Sequence, residues 1–433
     1  MMDLSDHCPV FLKLCMGIEK KTTMWRLNST LLNGQMKEEI EKDISEYIEL
    51  NDKGDVCPSV VWDACKAVMR GKLIAKSVHL KKMKQAELKK LQSDLEKLEE
   101  MHKSNVNSKI IEDIKMKRAR INDILSQEIQ KKMIFTKQKY YEAGSKSTKL
   151  LAYRLNKQQT TRHVYKIKDP QTNRTMYKTE DIHTCFEYYY KQLYDQVNNN
   201  NQSQIDKFLE ELNLSQLTED QNKQLTAEIT TKEIYSEISR LKNNKSPGAD
   251  GYGSEWYKIY RKTLTPLLYK TFNWILKGGN IPDSWREAII SVIAKEGKDG
   301  TICSNYRPIS VLNVDYRLFT AILARRMENI LPEIISLDQT GFIKHRQTHD
   351  NIRRTLHIIQ HIKEKKLEAA ILGMDAEKAF DSVSWDFLFR VMNKFNFHKG
   401  FIRTVQALYT DPTARIKVNG SLSKVIRRGR GCR

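Results

Sequence analysis

A chain of 433 residues, 40% hydrophobic and 9% aromatic, has the length and apolar content for real cores, which excludes an intrinsically disordered protein. Its 74 Lys and Arg against 53 Asp and Glu leave a net charge of +21, which suits a polyphosphate partner through charge neutralisation and counterion release, an anionic membrane surface being the competing reading. No apolar run reaches the roughly 18 residues of a membrane span, and the seven scattered cysteines form no C-x-x-C pair, so the sequence reads as intracellular, with no transmembrane segment, disulfide framework or zinc site.

The charge is uneven along the chain. Residues 60–170 hold 27 Lys and Arg against 12 Asp and Glu. Within them Leu88, Leu91, Leu95, Leu98 and Met101, then Ile110, Ile114, Ile121, Leu125 and Ile129, recur at helical intervals and predict two helices meeting as a hairpin near Lys103–Ser108. The heptad pattern is too short to specify a coiled-coil dimer, so the pairing is expected within one chain. Beyond it, Phe135–Tyr141 and Lys146–Lys157 interleave aromatics with cations, a composition that serves nucleic-acid binding or a solvated helix face. Asn198–Asn201 and Gln202 form a polar break.

From Thr226 the pattern is that of a compact mixed domain. Thr230 with Glu233 is a capping box ahead of a helix carrying Ile234, Ile238 and Leu241. Ala288–Ala294, the loop Lys295–Gly300 and Tyr306–Val311 predict a hairpin with a basic, glycine-containing tip, followed by a helix over about 315–330. Ala369–Met374 predicts a buried strand ending at Asp375, Trp385–Phe395 a helix returning across it, and Arg415–Leu422 a hairpin with an Asn-Gly turn.

Taken in order, five blocks resemble the reverse transcriptases of non-LTR, LINE-type retrotransposons. They are Ser246-Pro-Gly-Ala-Asp-Gly251; Trp285 with Ile293-Ala-Lys-Glu-Gly-Lys298; Asn305-Tyr-Arg-Pro-Ile-Ser310; Gln339-Thr-Gly-Phe342 with Arg346; and Met374-Asp-Ala-Glu-Lys-Ala-Phe-Asp381. Ser5-Asp-His-Cys-Pro-Val10 is similar to the closing motif of the apurinic-type endonuclease of such elements, and Trp25-Arg-Leu-Asn28 to the segment just beyond it.

The resemblance implies an α+β fold: a basic helical N-terminal and connector region, then the fingers and an incomplete palm of a right-hand polymerase. It divides the chain into an endonuclease remnant (1–15), a linker (16–59), a basic helical connector (60–225), and fingers with part of a palm (226–433, the core from about 277). It implies an RNA template, a DNA primer, dNTP and Mg2+, in a nuclear or cytoplasmic ribonucleoprotein. Asp375 would be a catalytic metal ligand in a two-metal nucleotidyl transfer. Lys295 and Arg307 would clamp the incoming triphosphate, Phe380 would lie under the sugar, and Gln339, Gly341, Phe342 and Arg346 would grip the template. Ala294 stands where the family usually has proline. Asp6 and His7 match the endonuclease pair, which is not expected to act without the rest of that enzyme.

No Tyr/Phe-Ala-Asp-Asp motif occurs before Arg433, so the chain is expected to be inactive as a polymerase by itself. Two other functions remain open: a non-catalytic RNA or DNA binder acting through residues 60–170, and a group II intron-type maturase. The Ser5-Asp-His7 motif and the tyrosine- and lysine-rich connector argue against the maturase.

Overall fold

The computed structural model describes residues 24–104, 108–140, 163–195 and 202–431. Asp6, His7, the Lys146–Lys157 stretch and Asn198–Asn201 lie outside them. Helices predominate, arranged around one four-stranded sheet and a separate two-stranded ribbon.

Helix α1 (Gln35–Asn51) is followed by α2 (Pro58–Ser104) and α3 (Ser108–Tyr140). At 47 residues, α2 is about 70 Å long. Its first turns belong to the core: Val61, Trp62, Cys65, Met69 and Leu73 are buried in the apolar cluster that also holds Phe272, Trp285 and Phe319. Its distal part pairs with α3, and the ion pairs Arg120–Glu87 (2.8 Å), Lys117–Asp94 (2.8 Å) and Arg118–Glu99 (2.6 Å) set the two helices antiparallel. The seam is thin. Ile114 and Ile124 are buried there, whereas Leu125, expected on the inner face, is exposed.

Strands β1 (Ile167–Lys168) and β2 (Thr175–Met176) form the ribbon, and α4 (Thr179–Tyr194) follows, with Ile182, Phe186, Tyr190 and Tyr194 fully enclosed. Two short helices, α5 (Gln202–Glu211) and α6 (Glu219–Thr226), lead to α7 (Thr231–Arg240). The capping box expected at its start forms: Glu233 N–H donates to the Thr230 hydroxyl, and the Glu233 carboxylate accepts from Thr230 N–H. Helices α8 (Ser254–Ile259) and α9 (Arg261–Leu276) bring Trp256, Tyr257, Tyr260, Leu264 and Phe272 into the same cluster.

The sheet has the order β4-β3-β5-β6, from β3 (Glu287–Ala294), β4 (Tyr306–Val311), β5 (Thr413–Val418) and β6 (Ser421–Arg427). The β3–β4 and β5–β6 pairs are antiparallel hairpins, and β3 runs parallel to β5. Asn419 and Gly420 have φ of 50° and 87°, which a type I′ turn requires, as the Asn-Gly pair predicts. Between the hairpins lie α10 (Val314–Glu328), α11 (Leu331–Ile334), α12 (Thr348–Lys365), α13 (Ala379–Ser382), α14 (Trp385–Lys394) and α15 (Lys399–Leu408).

One predicted element does not form. Residues 369–374 are irregular and exposed, Leu372 by 80%, and they are not a buried strand. A strand exists only against another backbone, and neither edge of the sheet, β4 nor β6, pairs with this run. An apolar pattern without a pairing partner stays in solvent here.

Candidate active site

The hairpin β3–β4 places the two predicted triphosphate cations. Ile293 is paired with Arg307, and Lys295 N–H donates to the Asn305 carbonyl at 2.8 Å, extending the ladder by one step. Because side chains alternate along a strand, Ile293, Lys295 and Arg307 share one face. The Lys295 ammonium rests on the Ser304 carbonyl at 3.1 Å, and Arg307 is exposed with no ion pair among the described residues.

The tip is braced despite Ala294 standing in the place of proline. The Asp299 carboxylate accepts from Thr301 N–H (2.9 Å) and hydroxyl (2.8 Å), Asn305 Nδ2 donates to the Asp299 carbonyl (3.0 Å), and the Tyr306 hydroxyl donates to Gly300 (2.7 Å). The two bonds from Thr301, its N–H first, hold the Asp299 carboxyl below its usual pKa.

Both feet of the hairpin are anchored by a group the sequence reading missed. Lys66, on the buried stripe of α2, reaches Asp315 (2.7 Å), Ser284 (2.6 Å), Asp63 (3.2 Å) and Asp250 (3.5 Å). Trp62 Nε1 also donates to Asp315 at 2.6 Å. Ser284 precedes β3, Asp315 follows β4, and Asp250 belongs to the Ser246–Gly251 turn. Burial alone would lower the pKa of Lys66, but the three carboxylates more than offset that and leave it above the ordinary lysine value. Burial, reinforced by Asp315 and only partly countered by Lys66, pushes Asp250 up to about 6. The signal was present in the sequence: a lone lysine inside the stripe Val61, Trp62, Cys65, Met69, Leu73 requires buried partners.

Gly248 in the same turn has no room for a side chain, since a Cβ there would lie 2.1 Å from Asn313 Oδ1 and 2.5 Å from its backbone nitrogen. Asn313 in turn donates to the Ser284 carbonyl at 2.8 Å and accepts from Asp250 N–H at 3.3 Å.

The predicted template segment is a tight turn after α11. Arg346 is its staple: the guanidinium donates to the carbonyls of Pro332 (2.8 Å), Ile335 (2.8 Å), Gln339 (2.9 Å) and Ser336. Gln339 Nε2 donates to Gly341 O at 3.0 Å. Phe342, in the left-handed region at φ 64°, is 92% exposed. Its ring meets Phe380 edge-on, with centroids 6.0 Å apart. The turn and the Asp375 motif are thereby joined.

Asp375 itself lies on the irregular run, exposed, with no hydrogen bond or ion pair among the described residues. Downstream the motif is anchored: Asp381 accepts from the Tyr194 hydroxyl (3.0 Å), Trp385 Nε1 donates to Gly431 O (2.9 Å), and Gly431 N–H to Val383 O (2.8 Å). Among the described residues no three His, Cys, Asp or Glu side chains stand together as a metal site. Asp375 alone offers one carboxylate, so the donor set does not fit a pair of divalent ions.

Residues 293–433 match the family of reverse transcriptases, RNA-dependent DNA polymerases. The span covers the Lys295, Arg307, Gln339, Asp375 and Phe380 motifs. This region is therefore similar to reverse transcriptases, and the relatives that the chain matches are proteins of non-LTR retrotransposons. The chain is 30% identical to a 149 kDa uncharacterized protein of transposon TX1 from Xenopus laevis over 217 residues, half of this chain and 16% of that protein. It is also 30% identical to a probable RNA-directed DNA polymerase from transposon BS of Drosophila melanogaster, over 46% of this chain and 22% of the relative. A Pol polyprotein of the Drosophila melanogaster element R2DM is 30% identical, over 45% of this chain and 18% of its own length. The matched part thus spans about a fifth of such LINE-type proteins. Reverse transcriptases generally work with divalent metal ions, an RNA template, a primer and dNTPs.

Proposed function

We propose that the chain supplies the nucleotide- and template-handling part of an RNA-directed DNA polymerase from a LINE-type retrotransposon, working on an RNA template and a DNA primer inside a ribonucleoprotein. One observation carries the reading: by the β3–β4 register Lys295 and Arg307 lie diagonally across the two strands on one face of a braced hairpin. A planar guanidinium fork beside a mobile ammonium is the donor pair a triphosphate requires.

Phe380, 63% exposed and in contact with Phe342, is available to press on a nucleotide sugar, and it is not packed away as a core residue. Gln339, Gly341 and Phe342 would meet the template, with Arg346 acting through the turn it staples. Asp375 would be one ligand of the Mg2+ ions that the intact polymerase employs. Among the described residues no second carboxylate stands with it as a metal site. The chain alone is accordingly proposed not to extend a primer.

Anisotropy of a fluorescent dNTP analogue tests the clamp. Arg307→Ala should weaken binding by about tenfold, the loss of one charged, desolvated hydrogen-bond pair, and Arg307→Lys should restore only part of it. Unchanged affinity in Arg307→Ala removes the assignment. Primer extension on an RNA template should give no product, and extension that Asp375→Ala abolishes would overturn the proposed inactivity.

A further inference from the structure

The ribbon β1–β2 carries exposed aromatics and cations that none of the roles above uses. Residues 163–178 contain Lys166, Lys168, Arg174 and Lys178 against one acid, Asp169. That acid is engaged in its own turn, accepting from the Thr172 hydroxyl (2.7 Å) and Gln171 N–H (3.1 Å). None of the four cations makes an ion pair with a described residue. Tyr177 is 69% exposed and Tyr165 59%, the latter with its ring against His163 at a centroid distance of 4.5 Å.

The placement follows from strand register. Ile167 pairs with Met176 and turns inward, with Ile167 fully buried. Lys168 and Thr175 therefore face out, and one further step of the register brings Lys166 opposite Tyr177 on that outer face. The two lysines are about 7 Å apart along the strand.

The ribbon is also fixed in place. Lys168 N–H donates to Thr301 O in the β3–β4 tip at 2.7 Å. At its other end Val164 N–H donates to Asn419 Oδ1 (2.9 Å), and Asn419 Nδ2 returns a bond to Val164 O (2.8 Å). The ribbon thus bridges the tips of both hairpins of the sheet, continuous with the loop that bears Lys295 and Lys298. Exposed rings on a fixed scaffold among unpaired cations suit a polyanion whose bases are unpaired, because only unpaired bases offer their faces for stacking. A duplex would use the cations and leave the rings idle.

We propose that this ribbon is a binding surface for single-stranded RNA, with Tyr177 as the stacking platform and Lys166 and Lys168 on the same face as phosphate contacts. The choice of RNA rests on the RNA-directed reading above. It extends that reading to a surface beside the β3–β4 tip.

The test uses the full chain and three labelled 12-nucleotide probes of one sequence: single-stranded RNA, duplex RNA and single-stranded DNA. Tyr177→Ala should weaken single-stranded RNA binding about tenfold, the scale of one lost base stack, and leave the duplex within twofold. Because the Tyr177 ring is exposed, the melting temperature should not move. Lys166→Gln with Lys168→Gln should reduce the salt slope by about 1.4, two phosphate contacts on a single strand. A loss below fivefold in Tyr177→Ala, an equal loss on the duplex, or tighter binding of the DNA strand than of the RNA each overturns the proposal. Binding is read without nucleotide, so failure of the Lys295 and Arg307 clamp would leave these outcomes untouched, and the two failures are distinguishable.

Discussion

At the scale of single residues, Lys66 decides the most. Its ammonium is the shared partner of Asp315, Asp63 and Asp250, and its removal leaves buried carboxylates without a counter-charge. Lys66→Met should cost about 3–5 kcal/mol in urea unfolding. A cost below about 1 kcal/mol would mean that the cluster is hydrated and slack. Asp250 gives the cluster a pH signature. Its folded pKa of about 6 lies above the ordinary 3.8, so the folded state binds the proton more tightly. That contribution is fully present below about 3.8 and is lost as pH rises through 6. The melting temperature of the native chain, compared with that of Asp250→Asn, should therefore fall more steeply between about pH 4 and pH 6. The comparison has to be a difference, because His183, its pKa lowered by burial, works in the opposite direction over the same range. The individual motif residues were legible in the sequence. What a residue touches was not, as Arg346 illustrates: it has the type and position of a template contact, and four backbone carbonyls already take its donors.

At the scale of elements, local chemistry carried the prediction wherever the element completes itself locally. The capping box at Thr230, the Asn419-Gly420 turn and the β3–β4 hairpin each need only neighbours in sequence. The run Ala369–Met374 needs a distant backbone, and its apolar pattern predicted burial that no described partner supplies. Close approach was half legible: Pro247 and Gly248 marked a turn, but only the packing shows that Gly248 abuts Asn313. Gly248→Ala should push Asn313 from Ser284 and loosen both feet of the hairpin. Hydrogen exchange over residues 284–315 should accelerate, with α3 unchanged, and protection equal to that of the native chain would count against the coupling.

At the scale of the whole molecule, α2 and the four-stranded sheet share one apolar cluster, running from Leu32 through Trp62 and Trp285 to Ile426. Charge counts along the chain separated these parts, because charge reports the surface of α2 and α3 and says nothing of the stripe that α2 buries. Apolar surface is also left open: Ile352, Leu356 and Ile358 on α12, then Ile371, Leu372 and Met374, are exposed. The folded chain should bind an apolar dye such as ANS, and Leu356→Glu with Leu372→Glu should reduce the signal without changing the far-ultraviolet spectrum. The parallel pairing of β3 with β5 reaches furthest, for it joins Glu287 to Thr413, 126 positions later. During synthesis at about 5–20 residues per second, β3 emerges roughly 6–25 s before its partner. In that interval the β3–β4 hairpin waits on the ribosome with one strand edge open, a period of vulnerability to misassembly that a nascent-chain chaperone would have to cover.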